Sequence, residues 1–354
     1  MKINDVRLRR VKMPRLDPQW RTASYAGDSV DGFILEIFAD GVTGLGGTAA
    51  HPRSTPAAAL EAELRGPVSA ALVGASPLSG NGIREAIKKS NVRPRALLAA
   101  DLALHDLVGK LASLPCHALW GGALRPRVTI VRMVGIKPPQ DLVAHVGTLV
   151  EQGYRHLKVK VGTGIAEDAA RLGALRGAFG DALWIGVDAN GAYTPEEALE
   201  LSRALEPYGV SWLEQPIDYG DLDGLARLTA ESAIPVMADQ SVVDVASALK
   251  LCQRRAAHIV SIKATKMGSL DECRRVYEIC RSFGVRVHMG GVAAPAVVDV
   301  AQAQLAASLP DIEEECEVGE FLGLEGDPVS GVVLRNEQIE LGSAAGWGVR
   351  LLKP

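Results

Sequence analysis

The chain has 354 residues, 47% of them hydrophobic and 23% charged, with a formal net charge of −4. That length exceeds one ordinary core and suits a barrel with a smaller companion domain. The weakly acidic balance, without any basic cluster interleaved with aromatics, argues against a nucleic-acid surface, and no run of 18 or more uncharged apolar residues exists to span a membrane.

Taken in chain order, residues 2–13 and 31–39 read as strands. Asp40-Gly41 is a hairpin signal leading to a third strand near 43–48. Residues 57–72, 83–89 and 94–111 then read as helices, so the first unit is α+β. After Trp120-Gly121-Gly122 the pattern changes. Strand candidates begin near Val128, His156, Leu183, Val210, Val236, His258, Arg286 and Ile312. Helical stretches at 138–152, 165–179, 195–205, 222–230, 242–251, 269–283 and 295–307 separate most of them. The expected fold is α/β: a (β/α)7–8 TIM-like barrel with an N-terminal α+β capping domain. The expected domains are 1–122 (capping), 123–320 (barrel) and 321–354, a segment with strand-like alternation that returns to the capping domain.

Five cysteines, none in a Cys-x-x-Cys pair, argue against a disulfide framework or a zinc ribbon and for a reducing compartment. The start, Met1 to Arg7, lacks the apolar core of a signal peptide, so the cytoplasm is the expected location.

Five polar tokens close successive apolar runs: Lys158-Val159-Lys160, Asp188-Ala189-Asn190, Glu214-Gln215-Pro216, Asp239-Gln240 and Lys263. From Lys160 onward they stand 28, 26, 25 and 24 residues apart, about one strand plus one helix with short loops. A lone Lys or Asp at a strand end is most often a solvated loop residue. Five in phase describe one mouth of a barrel.

The chemistry follows from strand geometry. Residues i and i+2 face the same way, so Lys158 and Lys160 both point inward. Two neighbouring ammonium groups repel, which favours a neutral amine fit for a general base. Asp188, Glu214 and Asp239 close three consecutive strands about 4.8 Å apart, so they can converge on one ion. Oxygen donors without His or Cys favour Mg2+, with Mn2+ as the alternative. Lys263 lies across that ion from the second-strand lysines. The set suits removal of a proton α to a carboxylate, with the metal stabilising the enediolate. A Schiff-base aldolase also uses a barrel lysine, but it leaves the three carboxylates unexplained.

In order, Leu157-Lys158-Val159-Lys160-Val161, Val187-Asp188-Ala189-Asn190, Trp212-Leu213-Glu214-Gln215-Pro216, Ala238-Asp239 and Ile262-Lys263 resemble the motif series of the enolase superfamily. The Lys-x-Lys form is similar to the muconate lactonizing subgroup of the mandelate racemase/muconate lactonizing enzyme family. Residues 100–110 resemble the family's capping helix, and Leu119-Trp120-Gly121-Gly122 its exit into the barrel. The resemblance implies Mg2+ on Asp188, Glu214 and Asp239, with Lys160 and Lys263 as the acid/base pair and Lys158 tuning the site. It implies an isomerase (cycloisomerase, racemase or epimerase) acting on a small carboxylic acid. A dehydratase of a hydroxy acid or proline derivative is the alternative. Asn190, Glu317, Arg21 and Arg53 are the expected substrate contacts, and a homo-oligomer is the expected assembly.

Three departures stand out. Gln240 follows the third ligand where the family usually has Glu. The sixth-strand motif reads Lys266-Met267-Gly268-Ser269 rather than ending in Gly-Gly. The last strand lacks the Asp-x-Asp with which dipeptide epimerases hold a substrate ammonium, which counts against dipeptides. Among the histidines, none forms a metal-type pair, and His288 reads as a polar residue of the seventh strand. Glu313-Glu314-Glu315 reads as a partly solvated strand entrance.

Overall fold

The structure is a computed structural model that describes residues 1–313 and 315–352. Glu314, within the acidic run, lies outside the described residues.

Strands β1 (Asp5–Pro14), β2 (Ser29–Ala39) and β3 (Val42–Ala49) form an antiparallel meander. Asp40 and Gly41 both take positive φ (50° and 78°), as a two-residue turn between twisted strands requires. The region 57–72 is not one helix. Helices α1 (Ala57–Glu63) and α2 (Ser69–Leu72) flank a π-helical turn over Leu64–Val68, where Pro67 lacks the N–H that would continue the ladder. Helix α3 (Gly80–Lys89) follows.

Helix α4 (Pro94–Leu111) lies directly on β3 because β3 offers it glycine. A Cβ on Gly46 would stand 2.0 Å from the Ala99 carbonyl, and one on Gly44 would stand 2.3 Å from that of Ala103. Two buried carboxylates of α4 stitch the molecule together. Asp106 accepts from the amides of Leu45 and Trp347, both at 2.7 Å. Asp101 accepts from Arg84 and from the Leu270 amide, both at 2.8 Å.

The barrel sheet runs β5 (Arg132–Val134), β6 (His156–Lys160), β7 (Trp184–Asp188), β8 (Leu213–Glu214), β9 (Val236–Ala238), β10 (Ile259–Ile262) and β11 (Arg286–Met289), all parallel neighbours in that order. Its first strand, expected near Val128, is split. Segment β4 (Arg127–Ile130) pairs not with β6 but with β12 (Glu315–Cys316), and the Glu317 amide bonds the Met289 carbonyl at 2.8 Å. The ring therefore closes through a change of partner at Val131. Helices α5 (Pro139–Glu151), α6 (Ile165–Phe179), α7 (Pro195–Leu205), α8 (Leu222–Glu231), α9 (Val245–Arg254), α10 (Ala264–Met267), α11 (Leu270–Ser282) and α12 (Ala296–Ser308) cover it, and a 3-10 turn over Glu320–Gly323 stands where an eighth helix would be.

The last segment serves both units. Strands β13 (Val329–Ser330) and β16 (Arg350–Leu351) pair together, while β14 (Val333–Arg335) and β15 (Gln338–Glu340) make a hairpin whose β15 joins β4 of the barrel. Trp347 bonds the Leu102 carbonyl at 3.1 Å in the first unit. Among the described residues no helix is long and apolar enough to cross a membrane.

Candidate active site

The inward side chains of β6 to β11 end in a band of buried charge. A floor closes the barrel beneath it. Trp212 packs against Trp184 at 4.4 Å and against the His288 ring at 4.8 Å, and Gly186 is where a side chain would collide with Trp212.

Above the floor, each ammonium meets carboxylate. Lys158 is fully buried, 2.5 Å from Glu317, 3.0 Å from Glu214 and 3.5 Å from Asp188. Lys160 lies 2.5 Å from Asp188. Lys263 lies 2.7 Å from Asp239 and 3.6 Å from Glu214. Lys266, one turn further on, lies 2.5 Å from Asp239 and 2.5 Å from its carbonyl. The sequence flagged Lys266 only as part of a departure. Its three-residue spacing from Lys263, across a short helix, was the signal of a shared carboxylate.

The electrostatics follow from this pairing. Burial opposes the charge on Lys158, but Glu214, Glu317 and Asp188 raise its pKa well above the ordinary value. The expected mutual repulsion of Lys158 and Lys160 is thus offset by carboxylates, with Asp188 shared between the two and Glu214 and Glu317 beside Lys158. Burial likewise opposes the charge on Asp239, yet Lys263 and Lys266 hold its pKa down, and Lys160 and Lys158 do the same for Asp188. Glu214 differs: burial and Asp188 push it up to about 7 against Lys158 and Lys263.

The loops beyond the strands are braced. Asn190, at φ 48°, donates its amide to Asp188 at 2.9 Å. Gln215, at φ 37°, accepts from the Asp239 amide at 3.0 Å, so the second carboxylate strand orients the third. Sequence reasoning missed this brace because Gln215 reads as an ordinary neighbour of Glu214.

A cavity of about 430 Å3 opens over the band, reaching Lys160, Asp239 and Lys263. Its roof comes from the first unit, including Trp20, Tyr25, His51 and Arg53. Asn190 lines it, and its side-chain oxygen is buried without a partner. Arg53 lines it as an exposed side chain. Arg21 does not: its backbone bridges Ala26, its carbonyl accepts from the Ile136 amide, and its side chain is exposed outside the lining. Glu317, also expected as a substrate contact, lies outside the lining of this cavity. One oxygen accepts from Lys158 and lies 3.1 Å from His288 Nε2, and the other accepts from the Gly291 amide at 2.9 Å, so it orients Lys158 beneath the cavity.

Asp188, Glu214 and Asp239 do not form a closed cluster of their own, because Lys158 and Lys263 stand between them. They nonetheless suit a hard cation. The donors are all carboxylate oxygens, and the buried Glu214 Oε1 has no hydrogen-bond partner.

A split-strand barrel with acidic and basic groups alternating across its mouth defines a barrel enzyme whose site is roofed by a second unit. The family model for the mandelate racemase / muconate lactonizing enzyme N-terminal domain matches residues 6–121, and that for the enolase C-terminal domain-like fold matches residues 141–353. The chain belongs to the mandelate racemase/muconate lactonizing enzyme family of the enolase superfamily and is an isomerase of that group.

Among its relatives is a hydrophobic dipeptide epimerase of Enterococcus faecalis, 34% identical over 99% of both chains. The structure of a dipeptide epimerase from that organism, with Mg and L-Leu-L-Tyr, superposes with a TM-score of 0.93 at 32% identity, covering 99% of each chain. A substrate-liganded L-Ala-D/L-Glu epimerase of Bacillus subtilis gives 0.94 at 27%, again over 99% of each chain.

Proposed function

We propose that this enzyme moves a proton between the two faces of a carbon α to a carboxylate, as a racemase or epimerase. The observation that carries this is the pair of lysines at opposite sides of Glu214, Lys160 on the Asp188 strand side and Lys263 on the Asp239 side, both open to one cavity. A base on one face and an acid on the other is what inversion requires.

Asp188, Glu214 and Asp239 would hold Mg2+, the metal named with the dipeptide in the E. faecalis structure. Bound there, Mg2+ supplies an electrophile for the substrate carboxylate and engages the anions to which Lys160 and Lys263 are otherwise bonded.

The chain's own residues do the rest. The Nζ of Lys160, as the free amine, takes the α-proton while the C–H electron pair moves into the carboxylate. The Nζ of Lys263 returns a proton to the opposite face, and the roles reverse for the other enantiomer. Lys158 balances the buried carboxylates from below. Trp20 and Tyr25 shield the site from water. Asn190 and Arg53 are the proposed substrate contacts from the expected set.

The test is exchange of the substrate α-proton in D2O with Mg2+, followed by chiral analysis. Inverted product of unchanged mass supports the reading, whereas loss of water overturns it. We also propose the division of labour 1–122, 123–320 and 321–354, with the first unit and the tail serving as cap. All five cysteines are free and buried, which favours the cytoplasm. A homo-oligomer is proposed, to be checked by light scattering.

A further inference from the structure

The cavity roof contains two arginines with no carboxylate partner among the described residues. Arg95, in the first turn of α4, donates to the Ala49 carbonyl at 2.8 Å and has no carboxylate partner among the described residues. Arg15 stacks on the Trp20 ring, 4.0 Å from its centroid, and its Nε is buried with no hydrogen-bond partner. Among the described residues it too has no carboxylate partner. Both arginines are half-buried, and a guanidinium withdrawn from water is ordinarily paired, so two without a carboxylate on one wall call for an anion from outside.

Their position says which anion. A second cavity of about 270 Å3 is lined by Arg15 and Arg95, and it shares both of them, with Tyr25 and His51, with the cavity that reaches Lys160 and Lys263. The two cavities adjoin at these shared residues, so the arginines lie beside the space that the reacting end opens into. Tyr25 lines both cavities. It packs on Trp20 at 5.3 Å and on His51 at 5.0 Å, which fixes its ring.

The carboxylates near these cavities are already engaged. Asp31 lies 2.9 Å from Arg10, and Asp239 is held by Lys263 and Lys266. Buried Glu320, near Tyr25, accepts from the Met133 amide at 3.2 Å. On the last strand, Glu317 has both oxygens committed and the residue two further on is Gly319. Among the described residues a substrate ammonium thus meets no carboxylate near these cavities that lacks a partner.

We propose that Arg15 and Arg95 form an anion subsite for a second carboxylate of the substrate, remote from the carbon that loses its proton. The proposal rests on the proton-transfer reading and names its substrate class: dianionic acids, such as acyl amino acids whose acyl chain ends in a carboxylate, rather than dipeptides with a free amino terminus. Planar guanidinium groups recognise carboxylate through paired N–H donors, and Arg95 keeps donors free for it.

The test uses the full chain with Mg2+ and two probes of equal length, N-succinylglycine and N-butyrylglycine, of which only the first ends in a carboxylate. Calorimetry reads binding, and deuterium exchange of the glycine methylene reads proton transfer. The unmodified protein is expected to bind N-succinylglycine about 30-fold more tightly or better. That ratio should fall below about threefold in Arg95→Gln and in Arg15→Gln, and recover in part in Arg95→Lys, which keeps charge without the fork. Arg15→Gln keeps the test decisive if Arg95→Gln does not fold. Equal affinities, no binding of either probe, tighter binding of L-Ala-Gly, or a ratio that survives both Gln substitutions would overturn the subsite. A binding preference without any exchange overturns the proton-transfer reading and leaves the subsite standing. Exchange of both probes at one rate, with equal affinities, does the reverse.

Discussion

Floor and roof of the cavity both carry positive charge, but they treat it in opposite ways. At the barrel mouth Lys158, Lys160, Lys263 and Lys266 each lie within 3 Å of a carboxylate oxygen. In the roof Arg15 and Arg95 have no such partner among the described residues, and one of them leaves a buried N–H unbonded. A balanced network is ready for a cation and a reaction that every substrate shares. An unbalanced wall is ready for a feature that only some substrates carry. The reaction and the choice of substrate are therefore built on different parts of the chain.

The largest effects should come from breaking the floor. Asp188→Asn should lose Mg2+ binding in calorimetry and proton exchange with it. Lys160→Ala and Lys263→Ala should each cut exchange by roughly 10³-fold, within the range of acid–base catalysis. Each should act on one enantiomer first, which is visible when the two are assayed separately. Equal loss with both enantiomers at once would remove the assignment of one lysine per face.

Next in size is the positioning pair beneath the cavity. Glu317→Gln leaves Lys158 short of its nearest carboxylate in a fully buried place. Breaking a buried pair costs about 3–5 kcal/mol, so the urea midpoint should drop clearly. His288→Gln, which removes a weaker contact to the same oxygen at 3.1 Å, should cost less. Chelating the metal should abolish exchange yet leave the circular dichroism spectrum unchanged, since the lysines already neutralise the three carboxylates.

The floor was legible in the sequence because a barrel repeats. Each strand delivers one side chain to the same mouth, so the order Lys, Asp, Glu, Asp, Lys at near-constant spacing encodes a site that no single residue does. Helix α4 was legible to the residue, from Pro94 at its first position to the apolar face that β3 glycines admit. The roof had no such repeat. Arg15 follows a strand and Arg95 lies in the first turn of a helix, 80 positions later, and only tertiary packing brings them to one cavity. Arg21 and Arg53 were the natural candidates because they sit in irregular loops, but the backbone of Arg21 is tied to Ala26 and Ile136 and its side chain lies outside the lining. The split of the first barrel strand also escaped the sequence, since Val128 and Met133 read as one apolar run while hydrogen bonding divides them at Val131 between two partners.

The smallest expected effect sharpens the comparison without touching activity. His51 sits in the roof with Nδ1 within 3.3 Å of the Arg53 amide and 3.2 Å of the Ser54 amide, so that nitrogen acts as an acceptor and the ring is neutral. Burial, followed by the charges of Arg95 and Arg53, pushes its pKa down to about 4. A histidine held below its unfolded value binds its proton more readily in the unfolded chain. Its contribution to stability is therefore present above the unfolded pKa and declines as pH falls from about 6.5 toward 4. Proton NMR of the imidazole should show His51 neutral down to that range. Arg95→Gln should move its midpoint upward, since one of its two cationic neighbours is gone, whereas Lys160→Ala, a change in the balanced floor, should leave it in place. An equal shift from both substitutions would mean that roof and floor share one field, and the contrast drawn between them would fail.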